Sequence, residues 1–260
     1  MIIPIMLLAV KGILLKILQY IKEPAPKYQL RLLMTKKVLY VMLKKVFILQ
    51  KGIPLPMNNT NQPRLIVAGI LVDKDIAPLM NRLLAERPEV FKHSVNVAYL
   101  AAEVCCTSLA EGLNGKFNLT DKESIEVIKG ALLHDIGKLT VPKRILNKKT
   151  KLSESEIKII MSHPTAGYEM LVNDKEHKYS KVVLDIVRHH HEKLDGLGYP
   201  DGLKKVSPAA QLVAFCDMYD ALTETRAYRA KKSIYSAYKI ISDEHLDADF
   251  FLLLASGLDR

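Results

Sequence analysis

Residues 189–200 read HHHEKLDGLGYP: three consecutive histidines, a carboxylate, and a turn too rich in Gly and Pro to continue a helix. Imidazole is a common metal ligand, and histidines at a helix end beside a Gly-rich loop can present a metal to an anionic substrate. Alone, the stretch also admits the weaker reading of a surface histidine run, so its meaning depends on the rest of the chain. Glu89 and His93 are four residues apart and share one helical face. His134 and Asp135 end an apolar run, with Gly137 and Lys138 just beyond, and His163 stands four residues before Gly167. Asp217 follows the apolar run Leu212-Val213-Ala214-Phe215-Cys216, where a carboxylate needs a cation or a metal. The candidate metal-site residues are therefore Glu89, His93, His134, Asp135, His163, His190, His191 and Asp217. Mixed N/O ligation suits iron, manganese or zinc better than magnesium alone. Asp135 could bridge two metals, and a hydroxide between them would be a nucleophile suited to a phosphodiester near neutral pH.

The elements that must position these residues read as helices from Pro88 onward. Apolar residues recur at helical spacing from Val90 to Glu111. Thr120 and Glu123 form a capping box ahead of a helix over 121–135, and Ser153 with Glu156 repeats the device ahead of a helix to Met161. Pro164 suits the first turn of a helix to about Val172. Tyr179–His191 delivers the histidines, Pro208 opens a helix to about Thr223, and Ser233–Asp243 and Asp247–Ser256 close the chain. Upstream, Ile76–Leu84 reads as a helix and Leu65–Val72 as a strand.

The chain has 260 residues, 49% of them hydrophobic, enough for one large domain with a small addition. Its net charge of +10 is uneven. Residues 1–60 hold ten Lys/Arg and one acid, whereas 61–260 hold 28 and 27, so the basic character belongs to the N-terminal segment. That argues against a nucleic-acid surface on the main domain. Three sparse cysteines, Cys105, Cys106 and Cys216, fit a reducing cytoplasm and not a disulfide framework. The apolar run Met1–Val10 is too short to span a bilayer, and no small-residue cleavage site follows it. Three readings stay open for this segment: a helix packed on the protein, a basic amphipathic helix at the inner face of the membrane, or a marginal anchor. The first two are favoured. Between Tyr28 and Pro56, Val/Ile/Tyr/Phe runs separated by paired lysines suggest a small β unit. The expected organisation is a basic apolar segment at 1–60, a connector at 61–87 and the catalytic part at 88–260. Localisation is expected to be cytoplasmic, with membrane association through the N-terminal segment as an option.

The spaced His93, His134-Asp135 and Asp217 resemble the signature of the HD superfamily of metal phosphohydrolases. HDIGK (134–138), HPTAG (163–167), HHE (190–192), DGLGYP (195–200) and DMYDALTETRAY (217–228) resemble, in order, the motifs of the HD-GYP subgroup. The likeness covers roughly Pro88–Ser256. It implies a mainly α, all-helical HD-domain bundle, with a small N-terminal segment ahead of it that can contain the β unit. The implied activity is hydrolysis of the bacterial second messenger cyclic di-GMP to pGpG or GMP at a di- or trinuclear centre, with iron first and manganese second as the metal. By the same resemblance Asp135 bridges, His93 is the N-terminal ligand, and Glu89 matches a carboxylate found in members that hold three metals. Lys138 contacts the scissile phosphate or the bridging water. Tyr199 and Pro200 line the guanine end, Arg226 holds a ligand phosphate, Asp220 holds Arg226 or the substrate, and Arg229 is a looser phosphate contact. His189 is expected outside the ligand set, and His177 and His245 on the surface. Two alternatives remain: another cyclic dinucleotide such as 3′,3′-cyclic GMP-AMP as substrate, or a non-catalytic cyclic di-GMP receptor. Further expected partners are diguanylate cyclase domains at the GYP face, an anionic membrane surface at residues 1–60, and a second copy in a homodimer. No nucleic-acid duplex is expected.

Overall fold

The computed structural model describes residues 62–111, 119–223 and 234–244, with Leu246, Phe250 and Leu254. The expected β unit, the membrane-facing segment, Arg226, Arg229 and His245 lie outside the described residues, as does most of the closing helix at Asp247–Ser256. Among the described residues there is no strand. Helices α1 (Gln62–Leu71), α2 (Ala77–Glu86), α3 (Pro88–Glu111) and α4 (Asp121–Leu133) lead into a short 3-10 turn, Ile136–Leu139. After it come α5 (Lys143–Leu146), α6 (Glu154–Met161), α7 (His163–Val172), α8 (Lys181–His189), α9 (Pro208–Thr223) and α10 (Ile234–Asp243). No helix among the described residues is long and apolar enough to cross a membrane.

Local chemistry sets most boundaries. Thr120 Oγ1 accepts the N–H of Glu123, and Glu123 returns its carboxylate to the Thr120 N–H at 2.9 Å, which starts α4. Ser153 and Glu156 do the same for α6, and Ser180 Oγ takes the Val183 N–H at the start of α8. Each satisfies donors that a helix N-terminus leaves bare. The expected strand Leu65–Val72 is corrected to α1. Leu65, Ile66, Val67 and Ile70 are buried against α3, and this packing overrides their β propensity. Residues 62–86, expected as a connector, thus bury apolar side chains in the same core as the remaining helices.

Helices α3, α4, α8 and α9 surround that core, with Val97, Ala101, Val104, Ile128, Leu132, Ile186, Leu212 and Phe215 inside. Burial of each large aliphatic among them contributes on the order of 2 kcal/mol. Helices α4 and α8 approach closely because Gly130 has no side chain: a Cβ there would lie 2.5 Å from Ile186 Cδ1. That approach carries the ends of both helices, where the histidines stand, to one place. Arg87, buried between α2 and α3, donates to the carbonyls of Val141 at 2.9 Å and Leu139 at 3.4 Å. It ties the start of α3 to the turn that follows His134 and Asp135.

Candidate metal centre

Helix α4 stops at Leu133, two residues earlier than its apolar pattern suggests. In a continuous helix His134 and Asp135 would point about 100° apart. Instead Asp135 sits at φ −98°, ψ 9°, the chain tightens into the 3-10 turn, and both side chains are buried together. Gly137 makes this possible, because a Cβ there would fall 2.0 Å from the His163 carbonyl oxygen at the start of α7. Helix α8 ends at His189, so His190 is its C-cap and His191 begins the turn. His93 comes from α3 and Asp217 from α9. Seven of the eight candidate ligands therefore converge, in overlapping sets: His163, His190 and His191; His93, His134 and Asp217; and His134, Asp135 and His190. Within each set the ligand atoms lie within 4.8 Å of one another.

The hydrogen bonds decide which ring nitrogens are available. Nδ1 of His134 donates to the Ala131 carbonyl at 2.8 Å, Nδ1 of His163 to that of Ile160 at 2.7 Å, and Nδ1 of His190 to those of Ile186 and Val187 at 3.1 Å. A carbonyl only accepts, so the proton sits on Nδ1 and Nε2 offers a lone pair. Nε2 of His163 and Nε2 of His190 face each other at 3.2 Å. Two lone pairs at that distance repel unless a cation stands between or beside them. Burial and the neighbouring imidazoles push His190 well below its ordinary value, and burial takes His191 down to about 3, so protons are poor candidates for that cation. His134 Nε2 and Asp135 Oδ1 are buried without a hydrogen bond. A donor set of this kind fits divalent metal ions.

The carboxylates complete the electrostatics. Burial acts to raise Asp135, but the Lys138 ammonium beside it outweighs this and holds the carboxyl well below its usual range. Lys138 Nζ donates to Asp135 Oδ2 at 2.6 Å. Burial likewise opposes charge on Asp217, and His93 overcomes it. His93 itself lies between Asp217 (Nε2 to Oδ1, 2.8 Å) and Asp220 (Nδ1 to Oδ2, 2.6 Å). Burial disfavours its charge, yet these carboxylates raise its pKa to about 9.

Other expected site residues take varied places. Glu89 is exposed and belongs to none of the three ligand sets. Asp220, expected beside the substrate or Arg226, is buried, with Oδ2 at 2.6 Å from His93 Nδ1 and Oδ1 accepting from Asn96 Nδ2 at 3.0 Å. Tyr199 stacks on His191, with ring centroids 4.7 Å apart and planes at 23°, and Pro200 follows through a cis peptide bond. His189 bonds Asp185 at 2.7 Å and Asp201 at 3.0 Å, away from the ligand sets. Asn96 escaped the sequence reading. Its signal was the repeat of spacing three on two helices, His93/Asn96 on α3 against Asp217/Asp220 on α9.

A family model described as HD domain matches residues 78–250. The chain is 34% identical over 190 residues to a cyclic di-GMP phosphodiesterase of Pseudomonas aeruginosa, covering 72% of this chain and 43% of that protein. It is 39% identical over 111 residues to the cyclic di-GMP phosphodiesterase response regulator RpfG of Xanthomonas campestris, covering 42% and 29%. Over 229 residues it is 31% identical to 3′3′-cGAMP-specific phosphodiesterase 1 of Vibrio cholerae, covering 84% and 49%. The chain thus spans less than half the length of these relatives. Among solved structures, Bd1817, an HDG"Y"P protein from Bdellovibrio bacteriovorus, shares the fold with a TM-score of 0.52 at 21% identity, covering 79% of this chain and 65% of that one.

Proposed function

We propose, on the premise that this chain belongs to the HD domain family in its HD-GYP branch, that it is a metal-dependent phosphodiesterase converting cyclic di-GMP to linear pGpG or onward to GMP. The carrying observation is the placement of Asp135 between two groups of imidazoles. Its Oδ1 lies 3.1 Å from His163 Nε2, and its Oδ2 lies 3.4 Å from His134 Nε2 and 3.8 Å from His93 Nε2. His93, His134 and Asp217 would hold one metal and His163, His190 and His191 a second, with Asp135 within reach of both sets. Exposed Glu89 favours two metals over three. Imidazole with carboxylate suits iron or manganese. Bound metals would supply Lewis acidity and would let a coordinated water give up a proton to solvent near neutral pH, making it a nucleophile towards phosphorus.

The chain's own groups would do the rest. Lys138 holds Asp135 ionised and places an ammonium beside the centre, where it can stabilise charge developing on phosphate oxygens. Tyr199 and Pro200 form a wall next to His191 on which guanine can lie. Asp220 and Asn96 orient His93. Arg226 and Arg229 keep their assignment to ligand phosphates on the motif resemblance alone. The test is turnover of cyclic di-GMP by the full chain reconstituted anaerobically with iron or manganese, with bound metal measured. Absence of hydrolysis by fully loaded protein would refute the reading.

A second reading keeps the centre and changes the base. The relative named as 3′3′-cGAMP-specific matches the larger share of this chain, so both cyclic dinucleotides should be supplied in competition. The ratio of their kcat/KM values decides between the two.

A further inference from the structure

The glutamate of the HHE triplet is the buried charge that the metal centre leaves unexplained. Glu192 directly follows His190 and His191, is 1% exposed, and belongs to none of the ligand sets. Its oxygens are committed to the loop that follows it. Oε1 accepts the N–H groups of Asp201 at 2.7 Å and Gly202 at 3.1 Å, and Oε2 accepts that of Leu203 at 3.0 Å. Gly202, at φ +63°, turns three successive N–H groups towards one point. The result is a backbone nest of the kind that holds anions, and here the anion is a side chain of the same segment.

The middle of the loop returns to the same backbone. The Tyr199 N–H donates to the His191 carbonyl at 3.2 Å. A Cβ on Gly198 would fall 2.4 Å from Glu192 Cα and from Lys193 N, so residue 198 lies flat against 192–193. Both returns place the Tyr199 ring on His191. A second clip lies further out, where Arg188 takes Asp201 through two bonds of 2.7 and 2.8 Å at partly exposed positions. The pair is bidentate, but solvent at these positions screens it.

We propose that Glu192 is a positioning residue: by closing the 193–203 loop onto its own carboxylate, it sets the Tyr199 ring against His191 and so fixes the wall that receives the substrate base. The substrate part of this inference rests on the phosphodiesterase reading above. A carboxylate is required because the nest presents only donors. A glutamine would offer one oxygen, and its NH2 would face an N–H. The charge-assisted bonds are also about twice as strong as neutral ones.

Metal-loaded full-length protein and its Glu192→Gln variant would be compared by amide hydrogen exchange, metal content and steady-state turnover of cyclic di-GMP. Glu192→Gln should speed exchange across 194–203 by about tenfold and raise KM by a similar factor, the effect of one lost charge-assisted bond. Bound metal should be unchanged and kcat nearly so. Asp201→Asn, which weakens the outer clip and leaves the three N–H bonds, should stay near the parent KM. Three results would each overturn the proposal. One is unchanged exchange in the loop. Another is loss of metal together with kcat at constant KM, which would make Glu192 part of the metal centre. The last is an equal KM defect in Asp201→Asn. If the parent protein hydrolyses no cyclic dinucleotide, the phosphodiesterase reading fails, and exchange in the Glu192→Gln loop still decides the clip.

Discussion

Replacing Gly137 with alanine should damage the metal centre from a position that carries no ligand. The new Cβ would lie 2.0 Å from the His163 carbonyl oxygen, 2.6 Å from Gly167 N and 2.9 Å from the His163 carbonyl carbon. All three obstacles are backbone, so no rotamer change relieves them. Ordinary contact begins near 3.4 Å, so the start of α7 must retreat from the 3-10 turn by about 1.4 Å, the difference from 2.0 Å. His163 is the first residue of α7, and its Nε2 lies 3.1 Å from Asp135 Oδ1. A retreat of that size separates two groups assigned to a common metal. Overpacking costs about 1–3 kcal/mol, here towards the upper end, which corresponds to a Tm lower by roughly 5–10 °C for a body of this size. Gly130→Ala, at the other close approach, is the milder comparison. Its Cβ would meet only the Ile186 side chain: Cδ1 at 2.5 Å can rotate, while Cβ at 3.0 Å and Cγ2 at 3.1 Å require α8 to give by a few tenths of an ångström. Alanine also gains about 1 kcal/mol of helix propensity within α4. Thermal denaturation with and without chelator, alongside elemental analysis, reads both effects. A Gly137→Ala protein with the parent's Tm and metal content, or a Gly130→Ala protein equally impaired, would refute the packing argument.

Three further outcomes are expected. In chelator-treated protein, His93 has a folded pKa of about 9 against an ordinary 6.5. Its contribution to stability is therefore complete below about pH 6.5 and is lost as pH rises through about 9. Tm should fall across that window and the fall should shrink in His93→Gln; an identical pH profile in both proteins would contradict the pairing. Asp220→Asn should weaken metal binding by about 10- to 100-fold while excess metal restores turnover, and unaltered affinity in a metal titration would remove its orienting role. Lys138→Met should lower kcat by about 10²-fold or more with metal retained, whereas parental kcat would show that its ammonium serves Asp135 alone.

Much of this protein is written locally. The Thr120/Glu123 and Ser153/Glu156 boxes mark α4 and α6 because capping is a contact between residues three apart. The apolar run before Asp217 announces a carboxylate at the edge of the core, since Leu212, Val213, Phe215 and Cys216 beside it are buried. His134 with Asp135, and His190 with His191, mark a centre that lies within the span matched by the HD domain family. Other features depend on what folds against them. Leu65, Ile66 and Val67 carry strand-like side chains and become helical because α3 covers them. Asp220 stands three residues past Asp217, and its carboxylate meets His93 and Asn96, 124 or more residues earlier in the chain. Glu89 has the right helical spacing and still points to solvent. Glu192 directly follows two candidate ligands, and only the folded loop shows where its carboxylate goes, to the three N–H groups returned to it. Sequence by itself determined which groups could bind metal and which helices carry them, since both follow from residue type and short-range spacing. Only the tertiary structure decided which lone pairs meet, because that depends on how closely Gly130 and Gly137 let α4, α7 and α8 approach.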